Sequence, residues 1–284
     1  SQNDAFLWAH GLSWNADVDK YTNDRSWGLI QNETMPTACG AVSLAQLHSR
    51  AKLPWVVNDP RLSITLQTWL PLLESKPAVI HIYRNPLEVA WLLKEEYGLE
   101  LGRGLILWIL YNKHAVQNSA SNDICRVSTS NDALFTNPLS ELDRIVHELS
   151  TKCGQTTSPM KLNQDILNSF MEKHGSSLKN MPMQPLTLAK GNTNTEDCKV
   201  YEYQSRTGAE GFVEASLYSK ATKIYCDLER GLAYRTDYIW PELTESEKGL
   251  HLQSNQFPDI EIRLRQRYHS CTGTKHTLTD DVTR

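Results

Sequence analysis

The chain has 284 residues, of which 40% are apolar and 22% charged, so it can bury a sizeable core and has an ordinary globular composition. Its formal net charge of −4 excludes a general attraction to nucleic acid or anionic lipid. The longest apolar runs, 78–83 and 105–111, are far too short to span a bilayer, which excludes a transmembrane segment on sequence grounds.

The chain opens on Ser1-Gln2-Asn3-Asp4 with no initiator Met and no charged and apolar leader, as expected of a processed or truncated end. Asn32-Glu33-Thr34 is a formal glycosylation acceptor that acquires meaning only with a secretory route. Trp55 to Val57 reads as a short strand, and Ile64, Leu66, Trp69, Leu70 and Leu73 follow at helical spacing. The run 78–83 is uniformly apolar apart from His81 and predicts a strand buried on both faces, with His81 a hydrogen-bonded core residue. A helix start follows it: Asn85 as N-cap, Pro86 at the first helical position, Glu88 three residues after the cap, and Gly98 as the stop.

Gly102-Arg103-Gly104 lies between two helical patterns and reads as a helix break, with the next helix running from about 104 to 119. Trp91 and Trp108 fall on apolar faces and read as core. A strand over 124–128 comes next, then a second cap-and-proline signal at Asn137-Pro138 with an apolar stripe through Leu139, Leu142, Ile145, Val146 and Leu149. Strand, crossover helices and strand argue for βαβ units in a parallel sheet with right-handed connections.

Beyond Thr151 the chain turns polar, with helices expected over 162–174 and 210–232, a loop over 189–197 and a half-exposed strand over 260–265. The division read from this is an α/β core over 1–150 and a mainly helical, irregular region over 151–284 carrying acceptor-side elements. Six cysteines at 39, 125, 153, 198, 226 and 271 show neither C-x-x-C nor metal-ligand spacing and read as free, buried thiols. Arg263, Arg265 and Arg267 read as a solvated strand edge, so no nucleic-acid partner is expected.

Two groups of residues carry chemistry. Arg84 and Asn85 stand where a buried strand gives way to a helix N-terminus, whose unpaired N–H groups and positive dipole end favour an anion. Arg84 adds a planar donor fork suited to phosphate; the plainer alternative is that it pairs with a nearby carboxylate. Asp59, within Asn58-Asp59-Pro60-Arg61, could take a proton from an acceptor group or could simply cap the helix that follows, and Arg61 could hold anionic oxygens or lie solvated.

The segment Val79-Ile80-His81-Ile82-Tyr83-Arg84-Asn85-Pro86-Leu87-Glu88-Val89-Ala90 closely resembles the strand and helix start of sulfotransferases that use 3′-phosphoadenosine 5′-phosphosulfate (PAPS). Flanking stretches extend the resemblance over roughly 3–150. Asn58-Asp59-Pro60-Arg61-Leu62 is similar to the family's Lys-Asp-Pro-Arg element. Gly104 to Asn112 and Arg126 to Pro138 are similar to the next helix, strand and loop, and Asn3-Asp4-Ala5-Phe6-Leu7 to Trp14 is similar to the segment after the first βα unit.

The resemblance implies a three-layer α/β sandwich with a central parallel sheet, the P-loop NTPase-like sulfotransferase fold, whose first βα unit and phosphate loop would precede Ser1. It implies that Arg84 and Asn85 hold the 3′-phosphate of PAPS as co-substrate, with no metal, and that Asp59 and Arg61 are catalytic. Leu92 stands where the family's assisting Ser would be, Asn58 where the Lys would be, and no G-x-x-x-x-G-K-[ST] occurs. The expected function is therefore sulfuryl transfer from PAPS to a hydroxyl or amine of a small-molecule or carbohydrate acceptor. The alternative is an inactive descendant that serves as a structural or binding subunit. Either way, the chain as it stands is expected to bind adenosine 3′,5′-bisphosphate weakly at best. Oligomeric state is open, and so is the compartment, with a slight lean to the cytoplasm.

Overall fold

The computed structural model describes residues 3, 7, 56–73, 75–120, 124–154, 165, 167–169, 172 and 209–248. The chain divides into two compact units, Ser1–Ser75 with His251–Arg284, and Lys76–Leu250. The segment 260–265, the loop over 189–197, Asn32 and Trp55 lie outside the described residues, and so does most of 162–174, where residues 165, 167–169 and 172 are helical.

In the first unit, Val56 and Val57 are exposed irregular chain, so the strand expected there is not part of the described structure. Helix α1 (Leu62–Trp69) follows and tightens into a 3₁₀ turn, Leu70–Leu72, where Pro71 cannot donate to continue the α-helical ladder.

The second unit is mixed α/β. Strand β1 (Ala78–Tyr83) is followed by helices α2 (Pro86–Tyr97) and α3 (Leu101–Asn118), strand β2 (Cys125–Ser130), and helices α4 (Asn131–Thr136) and α5 (Pro138–Thr151). Helix α6 (Ala209–Glu229), a 3₁₀ turn at Leu232–Tyr234 and the short α7 (Glu245–Lys248) complete it. The strands pair in parallel with Ala78 opposite Cys125 and Tyr83 opposite Ser130, the orientation expected from the alternation of elements. Parallel strands cannot be joined by a tight hairpin, and α2 with α3 forms the crossover.

Helix α2 starts as its cap signals require, with the Asn85 side chain accepting from the Leu87 N–H at 3.0 Å. It stops at Gly98, whose φ of 68° places it in the left-handed region while its N–H bonds back to Lys94 O. Helix α3 then runs unbroken through Gly102-Arg103-Gly104, which corrects the expected break. A Cβ on Gly104 would lie 2.7 Å from the Ala90 Cα, so glycine here permits α2 and α3 to touch backbone to backbone. Residues 105–110 of α3 are all buried, which marks it as the central helix of the unit.

The strand β1 is buried on one face only, which corrects the two-faced expectation. His81 and Tyr83 point inward, whereas Ile80 and Ile82 are 38% and 57% exposed. The reason is that β1 pairs only with β2 among the described residues, while Val127 and Thr129, on the same face as Ile80 and Ile82, are buried beside α5. Thr129 Oγ1 donates to Glu141 of α5 at 2.5 Å. Glu141 in turn receives Arg144, which also bonds Glu148 and the Ser128 carbonyl, fixing α5 to β2.

The inward face carries a buried polar network, as expected for His81. Asn112 Nδ2 donates to the Trp108 carbonyl, so its Oδ1, 3.2 Å from His81 Nε2, is the acceptor. That leaves His81 Nδ1 to accept the Tyr234 hydroxyl at 2.7 Å. Gly231, at φ 72°, turns the chain out of α6 and brings Tyr234 there, and the Arg126 guanidinium lies 4.4 Å over the Tyr234 ring. Burial, with Arg126 nearby, holds the His81 pKa down to about 4 against the opposing pull of Asn112. Protonation would also set two donors against each other at Tyr234.

The cysteines correct the free-thiol expectation. Cys125, at the start of β2, and Cys153, two residues past the end of α5, form a disulfide with Cα atoms 5.3 Å apart. The 28-residue separation makes the bridge worth about 3–4 kcal/mol by loop-closure entropy. Cys226 of α6 is also disulfide-bonded.

Gly104→Ala is expected to lower the unfolding free energy by about 1–3 kcal/mol despite alanine's better helix propensity, because the α2–α3 contact must open; urea unfolding measures this. For His81 the unfolded pKa is about 6.5 and the folded value is lower, so the unfolded chain binds more protons between those values. Stability from this group is therefore complete above about pH 6.5 and falls as pH drops toward 4, by about 3 kcal/mol. His81→Gln should flatten that part of the unfolding-versus-pH curve.

Candidate functional site

The residues singled out in the sequence fall into two places, one in each unit. In the first, Asp59 Oδ1 accepts from the Arg61 backbone N–H and from Arg61 Nη1, both at 3.0 Å, and Oδ2 accepts from Asn3 Nδ2 at 3.0 Å. Burial pushes the Asp59 carboxyl up, but the Asn3 side chain and the two Arg61 donors more than offset it, so it titrates below the ordinary carboxylate range. A carboxylate held in this way is a weak base. Its geometry is that of an anchor for the turn in which Leu62 N–H bonds Asp59 O, immediately ahead of α1.

Asn3, quoted in the sequence only as part of a flanking resemblance, is the hub of this cluster. Its Oδ1 accepts from Thr65 Oγ1 and Trp69 Nε1, both at 2.8 Å, while its amide donates to Asp59. The partners lie 56 to 66 residues away, so no local spacing signals the role.

The second place is the carboxyl end of β1, where Arg84 directly follows the last strand residue, Tyr83. Its backbone carbonyl accepts the Trp108 indole N–H at 2.8 Å, which pins the strand-to-helix turn to α3. Its Nε donates to Glu88 Oε2 at 2.7 Å, a pair one helical turn apart in which Glu88 is 1% exposed and Arg84 23%. Among the described residues, Nη1 and Nη2 of Arg84 have no hydrogen-bond partner. The guanidinium is thus gripped at one edge by a buried carboxylate, in a partly exposed side chain beside the N-terminus of the 12-residue α2.

The plainer sequence alternative for Arg84, pairing with a nearby carboxylate, is present, and the carboxylate engages Nε alone. Asn85 is fully buried; its oxygen caps α2, and its Nδ2 has no hydrogen-bond partner among the described residues, a second unused donor at the same helix start. Leu92, where the family resemblance implies an assisting hydroxyl, is half-buried in α2. Beside this junction, β2 ends the same way: Ser130, opposite Tyr83, caps α4 by accepting the Ala133 N–H. Tyr225 of α6 donates to Asp132 in the first turn of α4 and packs edge-on against Tyr83. Burial, with acidic neighbours Asp132 and Glu229, raises the Tyr225 pKa and keeps the phenol protonated.

Among the described residues no group of three or more His, Cys, Asp or Glu side chains could hold a metal ion, and no helix is long and apolar enough to cross a membrane. No family model, curated protein or solved structure matches the chain.

Glu88→Gln, which removes the charge and keeps the shape, is expected to lower the unfolding free energy by about 1–3 kcal/mol through the weakened buried bond to Arg84. Denaturant titration at pH 7 reads the change.

Proposed function

We propose that this chain is a sulfotransferase-family protein in which Arg84 and Asn85, at the start of α2, bind the 3′-phosphate of PAPS, the donor of a sulfuryl group to a hydroxyl or amine acceptor. The observation that carries this reading is the division of Arg84: Nε is fixed by Glu88, while among the described residues the terminal amino groups have no hydrogen-bond partner, next to a helix N-terminus. A phosphate can accept from both terminal nitrogens at once, and the helix dipole adds to the attraction. The position also suits the rule that open α/β sheets bind ligands beyond the carboxyl ends of their strands.

The finer architecture belongs to the same proposal. It is a three-layer sandwich of the P-loop NTPase-like sulfotransferase type, in which β1 and β2 are two strands of a larger parallel sheet. The packing of β1 against α3 through His81, and of β2 against α5 on the other face through Thr129, supports it. Small-molecule and carbohydrate acceptors are the proposed substrate classes.

One observation favours the alternative of a binding or structural subunit without catalysis. Asp59, the candidate base, is held below the usual carboxylate range and anchors the start of α1, and Arg61 is paired with it. The two readings share the anion site and differ in whether chemistry follows.

Adenosine 3′,5′-bisphosphate should bind this chain weakly but at least about tenfold better than adenosine 5′-monophosphate, the increment of one charge-assisted contact pair. Arg84→Ala should erase the difference. Ligand-observed NMR titration measures both, and equal affinity of the unaltered chain for the two nucleotides removes the proposal's basis.

A further inference from the structure

We infer that this chain folds and works in an oxidising compartment, with Cys125, Cys153 and Cys226 closed into structural bridges rather than kept as thiols. Three observations carry the inference, and none depends on the nucleotide reading.

The first is the placement of the Cys125–Cys153 bridge. It ties the first residue of β2 to the turn after α5, two segments already joined by Thr129–Glu141 and by Arg144 on the Ser128 carbonyl. Both cysteines are half-buried, and the bridge locks a finished βα unit instead of linking two movable parts. The second is Cys226, which is 3% exposed within α6 and is disulfide-bonded as well. An oxidising partner cannot reach a thiol so deeply buried in the folded chain, so that bridge closes during folding, in the compartment where folding happens. The third is the absence of any C-x-x-C in the sequence, so these bonds lack the spacing of a catalytic redox pair.

Closed bridges without a redox motif are a feature of chains made in oxidising surroundings, because glutathione and thioredoxin systems keep such thiols reduced in the cytosol. The closing step is thiol–disulfide exchange. The Cys125 and Cys153 thiols lose two protons and two electrons, a sulfur–sulfur bond forms between them, and the disulfide of an oxidising thiol–disulfide partner is reduced to two thiols.

The test is made on the full chain in the cells that produce it, quenched in acid and alkylated before and after reduction. The expected result is that Cys125, Cys153 and Cys226 resist alkylation until a reductant is added, and that the non-reducing peptide map contains the Cys125–Cys153 cross-linked peptide. In the purified protein, reductant should lower the melting midpoint by roughly 10 °C. The double variant Cys125→Ser/Cys153→Ser should show a lowered midpoint without reductant. Immediate alkylation of Cys125 and Cys153 in the acid-quenched, unaltered chain overturns the inference, as does a melting midpoint indifferent to reductant; neither reading requires the variant to fold.

Discussion

The second unit depends on how closely α3 approaches its neighbours, and that approach is set at Gly104. Gly104, Trp108 and Asn112 are spaced by four and stack along one face of α3. Each meets a different element: Gly104 lies against the Ala90 backbone of α2, Trp108 donates to the carbonyl of Arg84, and Asn112 accepts from His81 in β1. A side chain at 104 would push α3 off α2 and, through the same rigid helix, draw Trp108 and Asn112 away from their partners. One absent methyl group thus sets the depth of the central helix, the seat of β1 and the shape of the turn that presents Arg84.

That turn explains how a buried strand can end on a usable cation. The Arg84 carbonyl is held by Trp108 and its Nε by Glu88, so backbone and side chain are both fixed before any ligand arrives. A pre-positioned fork loses less conformational freedom on binding than a free arginine, which is the physical advantage of gripping Nε with a carboxylate. Glu88 offsets the charge of the guanidinium, so in the proposed anion site the helix N-terminus with its Asn85 cap supplies the remaining positive potential.

Much of this was legible in the sequence where the signal is local. Asn85-Pro86 with Glu88, Gly98 as stop, a strand over 78–83 and one over 124–128 that the structure shifts to 125–130, and the core role of His81 follow from caps, periodicity and the rarity of a lone histidine in an apolar run. What was not legible depends on distance along the chain. Gly104 reads as a break because spacing cannot distinguish a glycine that ends a helix from one that admits another backbone. Cys125 and Cys153 are brought together only when α5 folds back on β2, and Asn3 finds its three partners more than fifty residues away. The exposure of Ile80 and Ile82 was hidden for a related reason, since an apolar alternation does not say how many strands or helices cover each face.

In the proposed site, Arg84 uses Nε for the protein and its terminal amino groups for an anion. Nitrogen-15 NMR of the arginine side chains, recorded while adenosine 3′,5′-bisphosphate is added, tests it directly. The account predicts that the Arg84 Nε–H resonance is present and protected before ligand is added, and that its Nη protons shift and slow in exchange as ligand binds. An unperturbed Arg84, with the shifts concentrated on other arginines, would contradict it.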